Sequence, residues 1–122
     1  KRQAQSSVQL EQLTRHIDAL ILGMGTDGHT ASFFPGGDNL SAALDLQSDA
    51  AVVAMRAQGA GEPRLTLTLP VILSAHFLAL HIEGTEKQTV LNEALSGDDV
   101  NHMPIRAVFQ NTKKPIEIFW AS

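Results

Sequence analysis

Apolar residues fall in short runs separated by glycine, proline and polar clusters, and their spacing changes along the chain. Over residues 6–16, Val8, Leu10 and Leu13, continued by Ile17, recur at roughly helical spacing and predict a moderately amphipathic helix. Residues 19–24 form an apolar run and predict a buried strand of the parallel type. Residues 25–28 predict a tight turn. Thr26 or Asp27 is placed there to cap a short helix through Phe33, which Pro35 stops.

A second buried strand is expected over residues 50–56, "AAVVAMR", followed by a loop at residues 59–63. Residues 64–69, "RLTLTL", alternate strictly, as a strand does. Pro70 suits the first turn of a helix over "PVILSA". Phe77–Glu83 reads as a third strong strand. Thr85 and Gln88 have capping-box spacing ahead of a helix that sets Val90, Leu91, Ala94 and Leu95 on one face and ends at Gly97. Residues 107–110 and 116–120 read as two late strands joined by "NTKK". Strands alternating with helices predict an α/β fold: a doubly wound, mostly parallel sheet with helices on both faces, a partial Rossmann-like domain. Crossovers are expected to be right-handed. No repeat, low-complexity segment or linker divides residues 1–122, so one domain is expected.

Composition narrows the chemistry. No apolar run is long enough to span a membrane. There is no cysteine, which removes disulfides, thiolate metal sites and cysteine nucleophiles and is compatible with a reducing compartment. The net charge of -4 and the lack of a basic cluster argue against a nucleic-acid surface, though not against a small anion held by a few aimed cations. The first residues, "KRQAQSSVQLEQ", lack an initiator methionine and a signal-peptide pattern, and read as interior sequence.

The most informative stretch is "GMGTDGHTASFFPGG" at residues 23–37. Its start spells G-x-G-x-x-G, the dinucleotide fingerprint. That fingerprint needs a full helix after the loop and an acidic residue closing the next strand. Here Pro35 ends the helix within about two turns, and the next strand ends in Met55-Arg56. The dinucleotide mechanism fails on both counts. The loop still lies at a strand's carboxyl end, where α/β folds bind ligands, and its glycines let the backbone approach closely. Asp27, two residues from His29, can orient the imidazole or raise its basicity, which are the parts of a general base. A plain capping carboxylate and a solvated histidine fit the same residues.

These residues resemble the signature of the 6-phosphogluconolactonases, which share a superfamily with the glucosamine-6-phosphate deaminases. "PRLTLTLPVILSA", "GTEKQTVLNEAL" and a terminal "IEIFWA" follow in the family's order. The resemblance runs from about Asp18 to the end, with Thr26 where proline is usual. It implies cofactor-free hydrolysis of 6-phosphogluconolactone in the pentose phosphate pathway, in the cytoplasm, with no metal, nucleic-acid or membrane partner. It implies His29 as the acid/base residue with Asp27 beside it, and Arg64 and Lys87 as phosphate-binding residues, with Gly25 and Gly28 giving the substrate room. The deaminases carry a glutamate where this chain has Phe34, so their Asp-His-Glu relay cannot form. Family members are about twice as long, and their N-terminal half carries a Gly/Ser-rich phosphate loop. This chain is therefore expected to be the C-terminal half of a lactonase, partnered by the N-terminal half and inactive alone. A deaminase-like enzyme and a non-catalytic sugar-phosphate-binding module are the alternatives.

Two cations carry a physical argument of their own. Lys87 falls in the first turn of its expected helix, where the dipole disfavours a cation unless an anion is bound. Arg64 starts a strand beside a glycine loop and can make a bidentate phosphate contact. His16 and His102 are expected to be exposed, His76 and His81 to pack or line a strand edge, Asp98 and Asp99 to form a polar loop, and Trp120 to pack in the core. No histidine pair has helical metal-ligand spacing.

Overall fold

The computed structural model describes residues 17–122; the helix expected over residues 6–16, and His16, lie outside them. Strands β1 (Ala19–Leu22), β4 (Phe77–Glu83) and β5 (Glu117–Ala121) form a parallel sheet in the order β1-β4-β5. The central place goes to β4, the longest apolar run, where Leu78, Ala79, Leu80 and Ile82 are all buried. A parallel strand flanked on both edges reads in this near-continuous way. The run at β1 is parallel as expected but forms an edge: Leu22 is buried, whereas Ile21 is 66% exposed.

Strands β2 (Val52–Met55) and β3 (Arg64–Leu67) depart from the parallel pattern. They pair antiparallel as a separate ribbon, with Val52 opposite Leu67 and Met55 opposite Arg64. Residues 56–63 join them through a 3-10 turn, Gln58–Ala60. That link is shorter than the dozen or so residues a parallel crossover requires, so a hairpin is the available solution.

Four helices complete the described residues: α1 (Leu40–Leu44), α2 (Leu69–Leu73), α3 (Gly84–Leu95) and α4 (Ile105–Asn111). Pro70 sits in the first turn of α2, as its fixed φ and missing N–H favour. The capping box expected at Thr85 does not form. Helix α3 starts two residues earlier, with Glu83 as an extended N-cap and no side-chain cap, and Gly84 at φ 87 makes the entry. Val90, Leu91 and Ala94 face the core, but Leu95 is 56% exposed. Residues 107–110 belong to α4, not to a strand. Ile105, Arg106, Ala107 and Val108 are buried in succession, so the polar positions of this short helix, Arg106, Gln110 and Asn111, do not mark a single exposed face.

Two cations close helix ends from inside. Arg106 is buried and donates through Nε to the Ala94 carbonyl at 3.0 Å, through Nη2 to Glu93 at 2.9 Å and through Nη1 to Asp99 at 3.1 Å. The Ala94 carbonyl is one that the last turn of α3 leaves unpaired, whereas Glu93 also accepts from Ser96 and Asp99 from Met103. A Cβ on Gly97 would lie 2.4 Å from Nη2, so a larger residue there would displace the guanidinium from its acceptors. Lys114 donates to the carbonyls of Leu73 and Ala75 beyond α2. Trp120 is not in the core; it is 43% exposed and donates Nε1 to the Gly84 carbonyl at 3.0 Å. The core itself joins Phe33, Met55, Leu69, Ile72, Leu80 and Ile105 across ribbon, helices and sheet.

Candidate functional site

The loop after β1 leaves the carboxyl end of its strand and folds back on itself. Gly25 donates its N–H to the His29 carbonyl at 2.9 Å, and Gly28 donates to Gly25 at 3.0 Å. The buried Thr30 hydroxyl donates to the Gly23 carbonyl at 2.7 Å. The short helix expected through Phe33 is absent from this segment. Gly28 at φ 83 and Ala31 at φ 50 take left-handed conformations that a right-handed helix cannot contain. Asp27 caps no helix: its Oδ1 accepts the backbone N–H of His29 at 3.1 Å in a local turn.

The same oxygen lies 2.6 Å from His29 Nδ1. An ionised carboxylate only accepts, so Nδ1 carries the proton and Nε2 is left with its lone pair. Burial pushes the Asp27 carboxyl up, but the hydrogen bonds and charge of His29 outweigh it and hold the group below its ordinary value. The stability this pairing provides is complete above the unfolded carboxyl range, about pH 4, and is lost as pH falls through the lower folded value. Thermal melts of wild type and Asp27→Asn across the acid range should therefore converge as pH drops. Parallel curves would mean that the pair adds nothing to stability.

The imidazole is also held from its face. Phe34 stacks on it with ring centroids 4.3 Å apart and planes 26° apart. The Arg64 guanidinium lies over the Phe34 ring, 5.8 Å from its centroid, while donating to the Ala60 carbonyl through Nε at 3.3 Å and Nη2 at 3.1 Å. Gly25 makes room for the histidine: a Cβ there would stand 2.1 Å from His29 Cε1. Gly28 serves packing, since its Cβ would stand 2.7 Å from Met103 Cβ.

Lys87, in the first turn of α3, reaches the loop and donates Nζ to the Met24 carbonyl. His29 and Lys87 thus line one cavity of about 360 Å³ with Gly23, Met24, Gly25 and Ala31. The volume suits a small ligand. Asp27, Gly28 and Arg64 stand outside that lining, Asp27 behind the imidazole and Arg64 behind Phe34. A larger cavity, about 540 Å³, lies beside Leu46, Leu73 and Lys114 near the amino ends of β4 and β5, and carries no histidine or carboxylate. His81 and His102 are exposed and meet Glu83 at 3.6 Å and Glu93 at 3.9 Å. Among the described residues no cluster of three or more metal-ligating side chains occurs. Ala31 was not legible as a site residue, because alanine carries no sequence signal for the left-handed backbone it adopts here.

The family described as glucosamine-6-phosphate isomerases/6-phosphogluconolactonase matches residues 1–120. The chain belongs to this family. Within the glucosamine-6-phosphate isomerase/6-phosphogluconolactonase family, a 6-phosphogluconolactonase of Rhizobium meliloti is 51% identical over 105 residues, 86% of this chain and 45% of the relative. One from Mesorhizobium japonicum is 48% identical over 118 residues, 97% of this chain and 49% of the relative. The crystal structure of a 6-phosphogluconolactonase from Shewanella baltica superposes with a TM-score of 0.86 at 38% identity, over 98% of this chain and 52% of that one. The chain spans about half the length of these relatives.

Proposed function

We propose that the protein carrying this chain hydrolyses 6-phospho-D-glucono-1,5-lactone to 6-phosphogluconate, with His29 as the base that activates water. The observation that carries the reading is the convergence of an Asp27-oriented imidazole and the Lys87 ammonium on one cavity. His29 Nε2 takes a proton from water as its oxygen attacks the lactone carbonyl. The tetrahedral intermediate then collapses, the ring C–O bond breaks, and the proton passes from His29 to the departing oxygen. In this reading Lys87 and Arg64 bind the phosphate and orient the lactone without joining the chemistry. Gly25 leaves space for both imidazole and substrate, and Gly28 holds the turn. The relatives' shared name supports the substrate, and cytoplasmic sugar-phosphate metabolism is the proposed setting. The rest of the enzyme, an N-terminal half, is proposed to complete the phosphate site. The deaminase reading is disfavoured because the ring of Phe34 lies against His29, and among the described residues only Asp27 pairs a carboxylate with that imidazole.

The test is an assay of the native-length protein with the lactone and, separately, with glucosamine 6-phosphate. Lactone turnover without ammonia release is expected. Phosphosugar binding with no turnover would favour the binding-module reading instead. Lys87→Ala should raise KM by about 10–100-fold with kcat nearly kept, the loss of one charge-assisted hydrogen bond. Arg64→Ala should act in the same direction. An unchanged KM would remove that residue from the phosphate site.

A further inference from the structure

We propose that Phe34 is a positioning residue: its ring face fixes the plane of the His29 imidazole so that Nε2 meets the attacking water. The inference rests on the lactonase reading and deepens it. A histidine side chain has two soft torsions, and the Asp27 contact at Nδ1 constrains only where one nitrogen sits. The ring can still pivot about that hydrogen bond. The stack with Phe34, centroids 4.3 Å apart, removes the pivot. Offset aromatic pairs of this kind are attractive beyond the area they bury.

Phe34 is able to act as a fixed wall because it is itself held. It is only 4% exposed and belongs to the core cluster. The Arg64 guanidinium covers it, and Gly59 abuts it, with a virtual Cβ 3.7 Å from Phe34 Cδ1. Its carbonyl accepts the Gly37 N–H at 3.0 Å, closing the turn that follows. The same side chain therefore touches His29 and Arg64, the residues assigned to chemistry and to phosphate. Its flat face is the property that matters, more than its apolar bulk. Leucine at this position would fill much of the space and leave the imidazole free to rotate.

Three native-length proteins test this: wild type, Phe34→Leu and Phe34→Tyr. Two readouts are taken, the nuclear magnetic resonances of the His29 ring protons and steady-state lactone hydrolysis. In wild type the ring current of Phe34 should shift the His29 resonances upfield. Phe34→Leu should abolish that shift and lower kcat by about 10–100-fold, the cost of a misplaced catalytic group, with KM little changed. Phe34→Tyr should restore the shift and most of the turnover. Wild-type turnover that survives Phe34→Leu intact overturns the positioning role while leaving the lactonase reading standing. A His29 spectrum identical in wild type and Phe34→Leu overturns the stack itself. A wild-type protein with the ring-current shift but no lactone hydrolysis overturns the lactonase reading, and the role built on it, by a result neither other failure produces.

Discussion

Gly25→Ala is expected to cost as much turnover as His29→Ala, about 10²–10⁴-fold, although glycine contributes no functional group. The added methyl carbon would stand 2.1 Å from His29 Cε1 and 2.2 Å from Nδ1, with Asp27 Oδ1 at 2.9 Å. Carbon atoms make their optimal contact near 3.5–4.0 Å, so the imidazole has to leave. Leaving breaks the Asp27 hydrogen bond and the Phe34 stack together. Gly25 does not have the left-handed φ seen at Gly28, so alanine fits its backbone. The fold should survive, and melting temperature should shift little while kcat collapses. Turnover of Gly25→Ala close to wild type would show that the observed imidazole position is not the catalytic one.

The largest loss of stability should come from Arg106. Arg106→Met keeps most of the aliphatic stem and removes the guanidinium that three carbonyls share. Glu93 keeps the N–H and hydroxyl of Ser96, and Asp99 keeps the N–H of Met103, so the buried Ala94 carbonyl is the acceptor left without a donor, at a cost of about 1–3 kcal/mol. A loss of about 1–3 kcal/mol is therefore expected, seen as a fall of several degrees in melting temperature. Arg106→Lys restores the charge but not the planar fork, so it should recover only part of the loss. Calorimetry of the three proteins distinguishes these outcomes. A methionine variant that melts with wild type would mean that the α3 end is satisfied in another way.

The sequence was most readable where one physical demand dominated. Strand β4 announced itself because a central parallel strand is apolar on both faces, and Pro70 marked α2 because it fits only a first turn. The α4 segment misled for a different reason: four successive buried residues, a buried arginine among them, blur the helical period. The pairing of β2 with β3 depended on the length of the link more than on the residues within either strand. At the site, His29 and Asp27 stood out because they follow a glycine turn at the carboxyl end of a strand, although a capping carboxylate and a solvated histidine fit the same residues. The stack with Phe34 and the clearance at Gly25 were hidden, since both arise from a turn whose left-handed residues include an ordinary alanine. Nothing in the sequence marked Arg106, because its acceptors are backbone carbonyls that sequence does not display.

Trp120 carries an optical consequence. It is the chain's single tryptophan, and the chain has no tyrosine, so ultraviolet-excited emission from these residues comes from one indole. That indole donates its N–H to Gly84, the first residue of the helix that holds Lys87. The polar end of the fluorophore is thus tethered three residues from the ammonium assigned to the phosphate. The chain carries its own spectroscopic reporter of α3, attached where ligand binding would first be felt.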